Sequence, residues 1–254
     1  MKVTILGGTG VMGKALAPSL VVAGHQVTIT GRTQSPDPRP GMRGLRADIG
    51  TGEGVAEAVA GAEVVVHLAS DPERADEIDV EGTRRLLEQT GDGHMIYVSI
   101  VGVDRHPLPY YRAKQATEQL IERAGGLFTI VRATQWHDFL AYRVDRMTNG
   151  LVARVPSGYV YQPIDRLDVA KGIAALVESR PQGRAPDLAG PEVLGIEHLA
   201  RTYMVAKGRS RPLLQIPKFG PVAKAFRDGH HTNPDRAVGK ITWAEHLDRR
   251  FADS

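Results

Sequence analysis

The segment Gly7-Gly8-Thr9-Gly10-Val11-Met12-Gly13 follows directly on the apolar run Val3-Thr4-Ile5-Leu6 and leads directly into a helical pattern. That order of strand, glycine turn and helix constrains the chain more than anything else in it. Gly7 permits a tight turn, Gly10 lets the backbone approach a pyrophosphate, and Gly13 allows a helix to lie close against its strand. Free N–H groups and the positive end of the helix dipole favour phosphate charge there. The glycines fit both a G-x-G-x-x-G reading (Gly8, Gly10, Gly13) and a G-x-x-G-x-x-G reading (Gly7, Gly10, Gly13). A dinucleotide cofactor is the expected ligand, contacted by Gly7, Thr9, Gly10, Val11, Met12 and Gly13.

The rest of the first half alternates short β-rich runs with helical patterns, which predicts βαβ units around a parallel sheet. Strands are expected at Val3 to Leu6, Gln26 to Thr30, Gly44 to Ala47, Val64 to Leu68, Met95 to Ser99 and Phe128 to Arg132. Helices are expected at Gly13 to Ala23, Gly52 to Ala60, Asp76 to Gln89, Tyr110 to Ala124 and Asp168 to Glu178. Gln34 to Arg43 carries Pro36, Pro38 and Pro40 and reads as a surface loop. Beyond Arg132 the rhythm changes, with a loop entering a helix over Thr134 to Asp145 and short strands over Leu151 to Val160. From Pro181 onward prolines break the chain into short pieces. The fold expected is α/β, a Rossmann-type doubly wound parallel sheet. The 254 residues are expected to form one NAD(P)-binding domain, with a small substrate-covering lobe built mainly from about 136–160 and 185–254.

The second strand should end near Thr30, where an NAD-specific site usually places an acidic residue against the ribose 2′-OH. Here the chain reads Gly31-Arg32-Thr33, and no carboxylate appears before Asp37. A guanidinium at Arg32 can pair with a 2′-phosphate and stack on adenine, so NADP(H) is expected over NAD(H). Asp48 is placed either to contact adenine or to cap the following helix. Leu68 and Ala69, leading to Ser70, should pass beside the cofactor, their small size allowing backbone approach.

Tyr110 and Lys114 lie four residues apart on one helical face, with Ser99 at the end of the fifth strand. A phenol beside a cationic amine can exchange a proton with a substrate oxygen while hydride moves at a nicotinamide. Lys114 could also hold the nicotinamide ribose, and Ser99 could bond a substrate carbonyl. Gln135 and His137, past the sixth strand, are candidate substrate contacts; His137 reads equally as a polar loop residue fixing the backbone. His230-His231 lacks spaced partners and reads as a polar loop, so no metal site is expected. Asp165 and Asp168 read as turn and helix-capping residues.

These residues together resemble the short-chain dehydrogenase/reductase superfamily and, within it, the atypical NmrA-like members. The resemblance rests on Gly7, Gly10 and Gly13, on Gly31-Arg32, on Ser99 in Tyr-Val-Ser-Ile-Val-Gly-Val-Asp, and on Tyr110 with Lys114. Arg132-Ala133-Thr134-Gln135-Trp136-His137 and Gln162-Pro163-Ile164-Asp165 before Asp168-Val169-Ala170 extend it across most of the chain. It implies Tyr110 as acid/base with Lys114 as its helper, and an NADPH-dependent oxidoreductase reducing a carbonyl or conjugated small molecule. Two alternatives stay open: a non-catalytic NAD(P)H-sensing regulatory protein, and a cofactor-retaining epimerase or isomerase.

The chain has no cysteine, no export signal ahead of its first strand and no run of about 20 apolar residues. A cytoplasmic location away from membranes is expected. Its net charge of +3 is spread along the chain rather than clustered, which argues against nucleic acid and for small-molecule partners.

Overall fold

A computed structural model describes residues 1–33 and 40–252. Most of the expected loop after the second strand, including Asp37, lies outside the described residues. The apolar runs become β1 (Lys2–Leu6), β2 (Gln26–Gly31), β3 (Met42–Arg46), β4 (Val64–His67), β5 (His94–Ile100) and β6 (Phe128–Ala133). With β9 (Gly183–Arg184) they build one seven-stranded sheet in the order β3-β2-β1-β4-β5-β6-β9. Pairing is parallel between β1 and β2 (Ile5 opposite Ile29) and between β1 and β4 (Leu6 opposite His67). Near-continuous burial along β4 and β5 is what a parallel sheet covered on both faces requires. The α/β doubly wound class therefore stands.

Strand order reverses between β1 and β4, and ligands of open α/β sheets bind beyond the carboxyl ends of strands at such a point. The glycine turn after β1 and the Leu68-Ala69-Ser70 segment after β4 both lie there.

Helices α1 (Val11–Val22), α2 (Val55–Val59), α3 (Gly82–Leu87), α4 (Pro109–Ala124), α5 (His137–Thr148) and α6 (Arg166–Val177) follow the expected sites with shifted ends. The helix expected over Asp76 to Gln89 departs most. Its first part, Asp76–Glu81, is a π-helical stretch that runs into α3. The wider π turn changes which side chains face inward, and such turns recur at functional sites.

Contacts divide the chain into two compact units: Met1–Ser99 with Pro109–Arg132 and Ala170–Pro186, and Ile100–Leu108 with Ala133–Val169 and Asp187–Ser254. The first holds the sheet. In the second, β7 (Ala153–Pro156) pairs in parallel with β11 (Leu213–Ile216), and β8 (Val160–Tyr161) pairs antiparallel with β10 (Leu194–Gly195). Its core gathers Leu140, Val144, Tyr161, Leu199, Tyr203 and Trp243. Helices α7 (Ile196–Ala206), α8 (Pro221–Arg227) and α9 (Trp243–Phe251) supply much of it, where the sequence suggested only broken pieces. Thr242 and Glu245 form a capping box that starts α9, and Trp243 Nε1 donates to Thr202 Oγ1 at 2.9 Å. Among the described residues, no helix is long and apolar enough to cross a membrane.

Candidate functional site

The glycine turn has the geometry of a phosphate cradle. Gly7 sits at φ 80°, and a Cβ there would lie 2.9 Å from the Ala69 backbone nitrogen. A Cβ on Gly13 would lie 2.4 Å from Gly8 Cα, so the helix meets the turn only because residue 13 is glycine. Gly10 N–H donates to Gly7 O at 3.0 Å and Gly10 caps α1, whose first turn carries no acidic residue. The positive end of α1 is thus left without a local anion, as a pyrophosphate site requires. Thr9, Gly10 and Val11 are exposed at this end, while Met12 is buried beneath it. These residues fit a dinucleotide, which would supply a hydride-accepting and hydride-donating nicotinamide.

Arg32 is exposed just past β2, its Nη1 3.7 Å from Asp71 Oδ2. Asp48 is committed locally: its Oδ1 accepts from Gly50 N at 2.8 Å. That turn precedes α2 without capping it, because the N-cap is Gly54 in the left-handed region.

Four side chains of the first unit form a connected polar network. Lys114, on the buried face of α4, lies 3.0 Å from Asp79 Oδ1, and the two side chains are 5% and 0% exposed. Ser70 Oγ donates to the same Asp79 oxygen at 2.7 Å and meets the Tyr110 hydroxyl at 2.8 Å. Asp79 Oδ2 accepts from Asp71 N, and Lys114 Nζ also donates to Val98 O at 3.4 Å. The order of donors follows from chemistry. A carboxylate only accepts, so Ser70 spends its single proton on Asp79, and Tyr110 is then the donor to Ser70. Tyr110 is half-buried and Ser70 exposed, so this end of the chain of bonds opens to solvent while the ion pair lies beneath.

The field around Lys114 is strong. Burial works against its charge, but Tyr110, Tyr97 and Asp79 outweigh it and hold the ammonium well above its ordinary range. Its Nζ stands 4.8 Å from the Tyr97 ring centroid, a cation–π contact. Behind the network, Thr83 Oγ1 donates to Asp79 O, so His67 Nε2, 2.9 Å from that hydroxyl, must be the donor to it. Burial, and then the Lys114 charge, push His67 down to about 3, and the imidazole is neutral.

The expected site residues are thus divided. Tyr110 and Lys114 are joined through Ser70 and Asp79. Ser99, buried near the end of β5, faces Glu118 instead, and the hydroxyl set against Tyr110 belongs to Ser70. Glu118 is held by Arg132 at 2.7 Å and Arg184 at 2.8 Å, a structural cluster of the sheet edge. Gln135 and His137 are interior residues of the second unit: Gln135 Nε2 donates to His231 O at 3.5 Å, and His137 lies 3.5 Å from Asp165. Asp165 does turn the chain into α6, accepting from Leu167 N at 2.8 Å. Asp168 instead takes Lys240 N and Ile241 N, at 2.7 and 2.9 Å. Asp79 is the member that sequence reasoning missed. Its signal was an acidic residue in register with Thr83 and Leu86 on the inward face of a helix.

The fold is shared with solved structures. A nucleoside-diphosphate-sugar epimerase from Staphylococcus aureus superposes with a TM-score of 0.81 at 20% identity, over 97% of this chain and 99% of that one. The UDP-glucuronic acid 4-epimerase of Bacillus cereus, in complex with UDP-glucuronic acid and NAD, superposes at 0.78 and 16% identity over 99% and 98%. Curated relatives match over shorter stretches. An uncharacterised Mycobacterium tuberculosis protein is 34% identical over 103 residues, which are 39% of this chain and 12% of that protein. A 3-beta-hydroxysteroid dehydrogenase of Mycolicibacterium neoaurum is 31% identical over 115 residues, 39% of this chain and 31% of that enzyme.

The NADP(H) preference expected from Arg32 is corrected by these findings. Five solved structures that share the fold, at 16–18% identity, hold NAD. The structure supplies a physical reason: the Asp71 carboxylate beside Arg32 offsets the guanidinium charge and would repel a 2′-phosphate. Residues 7–180, which contain the glycine turn and the whole Tyr110 network, match the family described as NAD(P)H-binding, and the chain belongs to that family.

Proposed function

We propose that the chain binds NAD at the glycine turn and catalyses reversible hydride transfer at a secondary carbinol carbon of a small molecule. The cofactor is retained and the hydride returned, so the net reaction is an epimerisation. The observation that carries this reading is the Tyr110–Ser70–Asp79–Lys114 network. It offers a proton path that ends on a buried carboxylate rather than in solvent.

A substrate hydroxyl docked on Tyr110 donates to a lone pair of its Oη. As the carbinol carbon loses hydride, the hydroxyl proton passes to Tyr110, the Tyr110 proton to Ser70 and the Ser70 proton to Asp79. The Lys114 ammonium, 3.0 Å from Asp79 Oδ1, stays charged beside this path and positions the carboxylate that ends it. Return of hydride to the other face of the carbonyl reverses each transfer, and no proton or electron is left over. A redox-neutral reaction suits an internal proton store of this kind. The NAD-containing epimerases that share the fold support the same reading. Nucleotide sugars are the first substrate class to try, and the second unit is assigned to substrate binding.

A reductase or dehydrogenase that releases its cofactor is the second reading, favoured by the 2-alkyl-3-oxoalkanoate reductase of Stenotrophomonas maltophilia, 29% identical over 121 residues. The two are separated by incubating NAD-loaded protein with UDP-glucuronic acid, other UDP-sugars and hydroxysteroids. Epimeric product without net NADH supports the proposal; stoichiometric NADH supports the second reading. Tight NAD binding with neither outcome across the panel rejects both and favours a cofactor-sensing protein.

A further inference from the structure

Three side chains of the second unit, distant in sequence, converge in its interior. His137 opens α5, Asp165 immediately precedes α6, and His246 lies on α9; they are 0%, 4% and 8% exposed. We propose that they bind one divalent transition-metal ion, Zn2+ by the character of the ligands.

The spacing decides between this and a hydrogen-bonded His–Asp–His triad. Both histidines direct Nδ1 at the same atom, Asp165 Oδ2, and both stand 3.5 Å from it. Hydrogen bonds from ring nitrogen to carboxylate settle at about 2.7–3.2 Å, so two contacts of this length are poor ones. Two ligands bonded at about 2.0–2.1 Å to a tetrahedral Zn2+ stand about 3.3–3.4 Å apart, which the observed separations nearly match. The three ligand atoms all lie within 4.8 Å of one another. The Nε2 atoms of both histidines are buried without a hydrogen-bond partner. Metal ligation and a hydrogen-bonded triad leave them equally unsatisfied, so they favour neither.

The ligands are also held in place. Asp165 Oδ1 accepts from Leu167 N at 2.8 Å, which fixes the carboxylate plane and leaves Oδ2 for the ion. His137 N donates to Ile164 O at 3.0 Å, tying the first ligand to the residue before the second. Trp243 stacks on the His246 ring at 5.8 Å and 19°, and the two histidine rings stand 4.9 Å apart. Two neutral imidazoles and one carboxylate, with a fourth position for water, form a familiar zinc ligand set. The ion would join the starts of α5 and α6 to α9, so its binding energy becomes folding energy of this unit.

The test uses the full chain, stripped with a chelator and titrated with Zn2+ or Co2+ alone, alongside Asp165→Asn and His246→Gln. Asp165→Asn keeps a side-chain oxygen for Leu167 N and removes the charge. The expected result is one equivalent of metal bound, the visible absorption of tetrahedral Co2+, and a raised Tm. Affinity should fall at least about 100-fold in each variant. Two results would overturn the proposal: wild-type protein that takes up no stoichiometric metal, or uptake that both variants retain, which would place the ion on exposed histidines. Because the first is read on wild type, the test does not depend on the variants folding.

Discussion

Replacing Asp79 by Asn isolates the ion pair beneath Tyr110, because the amide oxygen can still accept from Ser70 while the charge facing Lys114 is lost. Two unit charges 3.0 Å apart attract by about 5 kcal/mol at an effective dielectric of about 20. Removing one member of a buried pair typically costs about 3–5 kcal/mol, since the remaining charge is left unpaired. For a chain of this size that is a fall in Tm of roughly 6–20 °C. The loss should be partly restored in Asp79→Asn/Lys114→Met, where no charge is stranded. The linkage has a definite sign. Lys114 is held above its ordinary value of 10.5, so its contribution is present below that pH and is lost as pH rises through the folded-state value. The variant should therefore differ most from wild type near neutrality. Urea denaturation of the two single variants and the double variant at pH 7.5 measures the coupling. A loss under about 1 kcal/mol for Asp79→Asn, or a double variant no more stable than the less stable single, would refute the buried-pair argument.

Three further outcomes follow from the same geometry. Gly13→Ala should destabilise the chain by about 1–3 kcal/mol and abolish NAD binding, because its Cβ would fall 2.4 Å from Gly8 Cα; calorimetric titration with NAD checks this. Acid should destabilise the fold before carboxylates titrate. His67 is held at about 3 against an ordinary value of 6.5, so its contribution is full above pH 6.5 and declines as pH falls towards 3, by about 2 kcal/mol at pH 5. Nitrogen chemical shifts should then show His67 neutral and protonated on Nε2 at pH 5, and an imidazolium there would contradict the assignment. Fluorescence titration should find NADH bound more tightly than NADPH, with Asp71→Asn narrowing the difference.

Much of the sheet could be read directly from the sequence. Runs such as Val64-Val65-Val66 and Met95-Ile96-Tyr97-Val98 admit few structures other than doubly covered parallel strands, and the glycine turn fixes where the first helix begins. Tyr110 and Lys114 were legible because four residues of α-helix is one turn. Asp79 was not, because Asp76-Glu77-Ile78-Asp79-Val80-Glu81 looks like an acidic, solvated face, and only the structure shows Asp79 buried within it. Ser70 was read as a small residue beside the cofactor, and only the three-dimensional path of β4 reveals its hydroxyl beneath that of Tyr110. The second unit was hardest to read. Its pairings, such as Ala153 with Leu213, join segments far apart in sequence, and α7 and α8 lie among prolines that suggested breaks.

The central claim is that NAD, seated on the glycine turn, presents its nicotinamide to Tyr110. A crystal structure of the full chain with NAD tests this without knowledge of the substrate. The expected result is pyrophosphate against the N-terminus of α1, with nicotinamide C4 within about 6 Å of Tyr110 Oη. That spacing lets one carbinol stand about 3–3.5 Å from C4 and within hydrogen-bond reach of the phenol. A nicotinamide ring more than about 10 Å from Tyr110, or NAD bound away from Gly7, Gly10 and Gly13, would contradict the account.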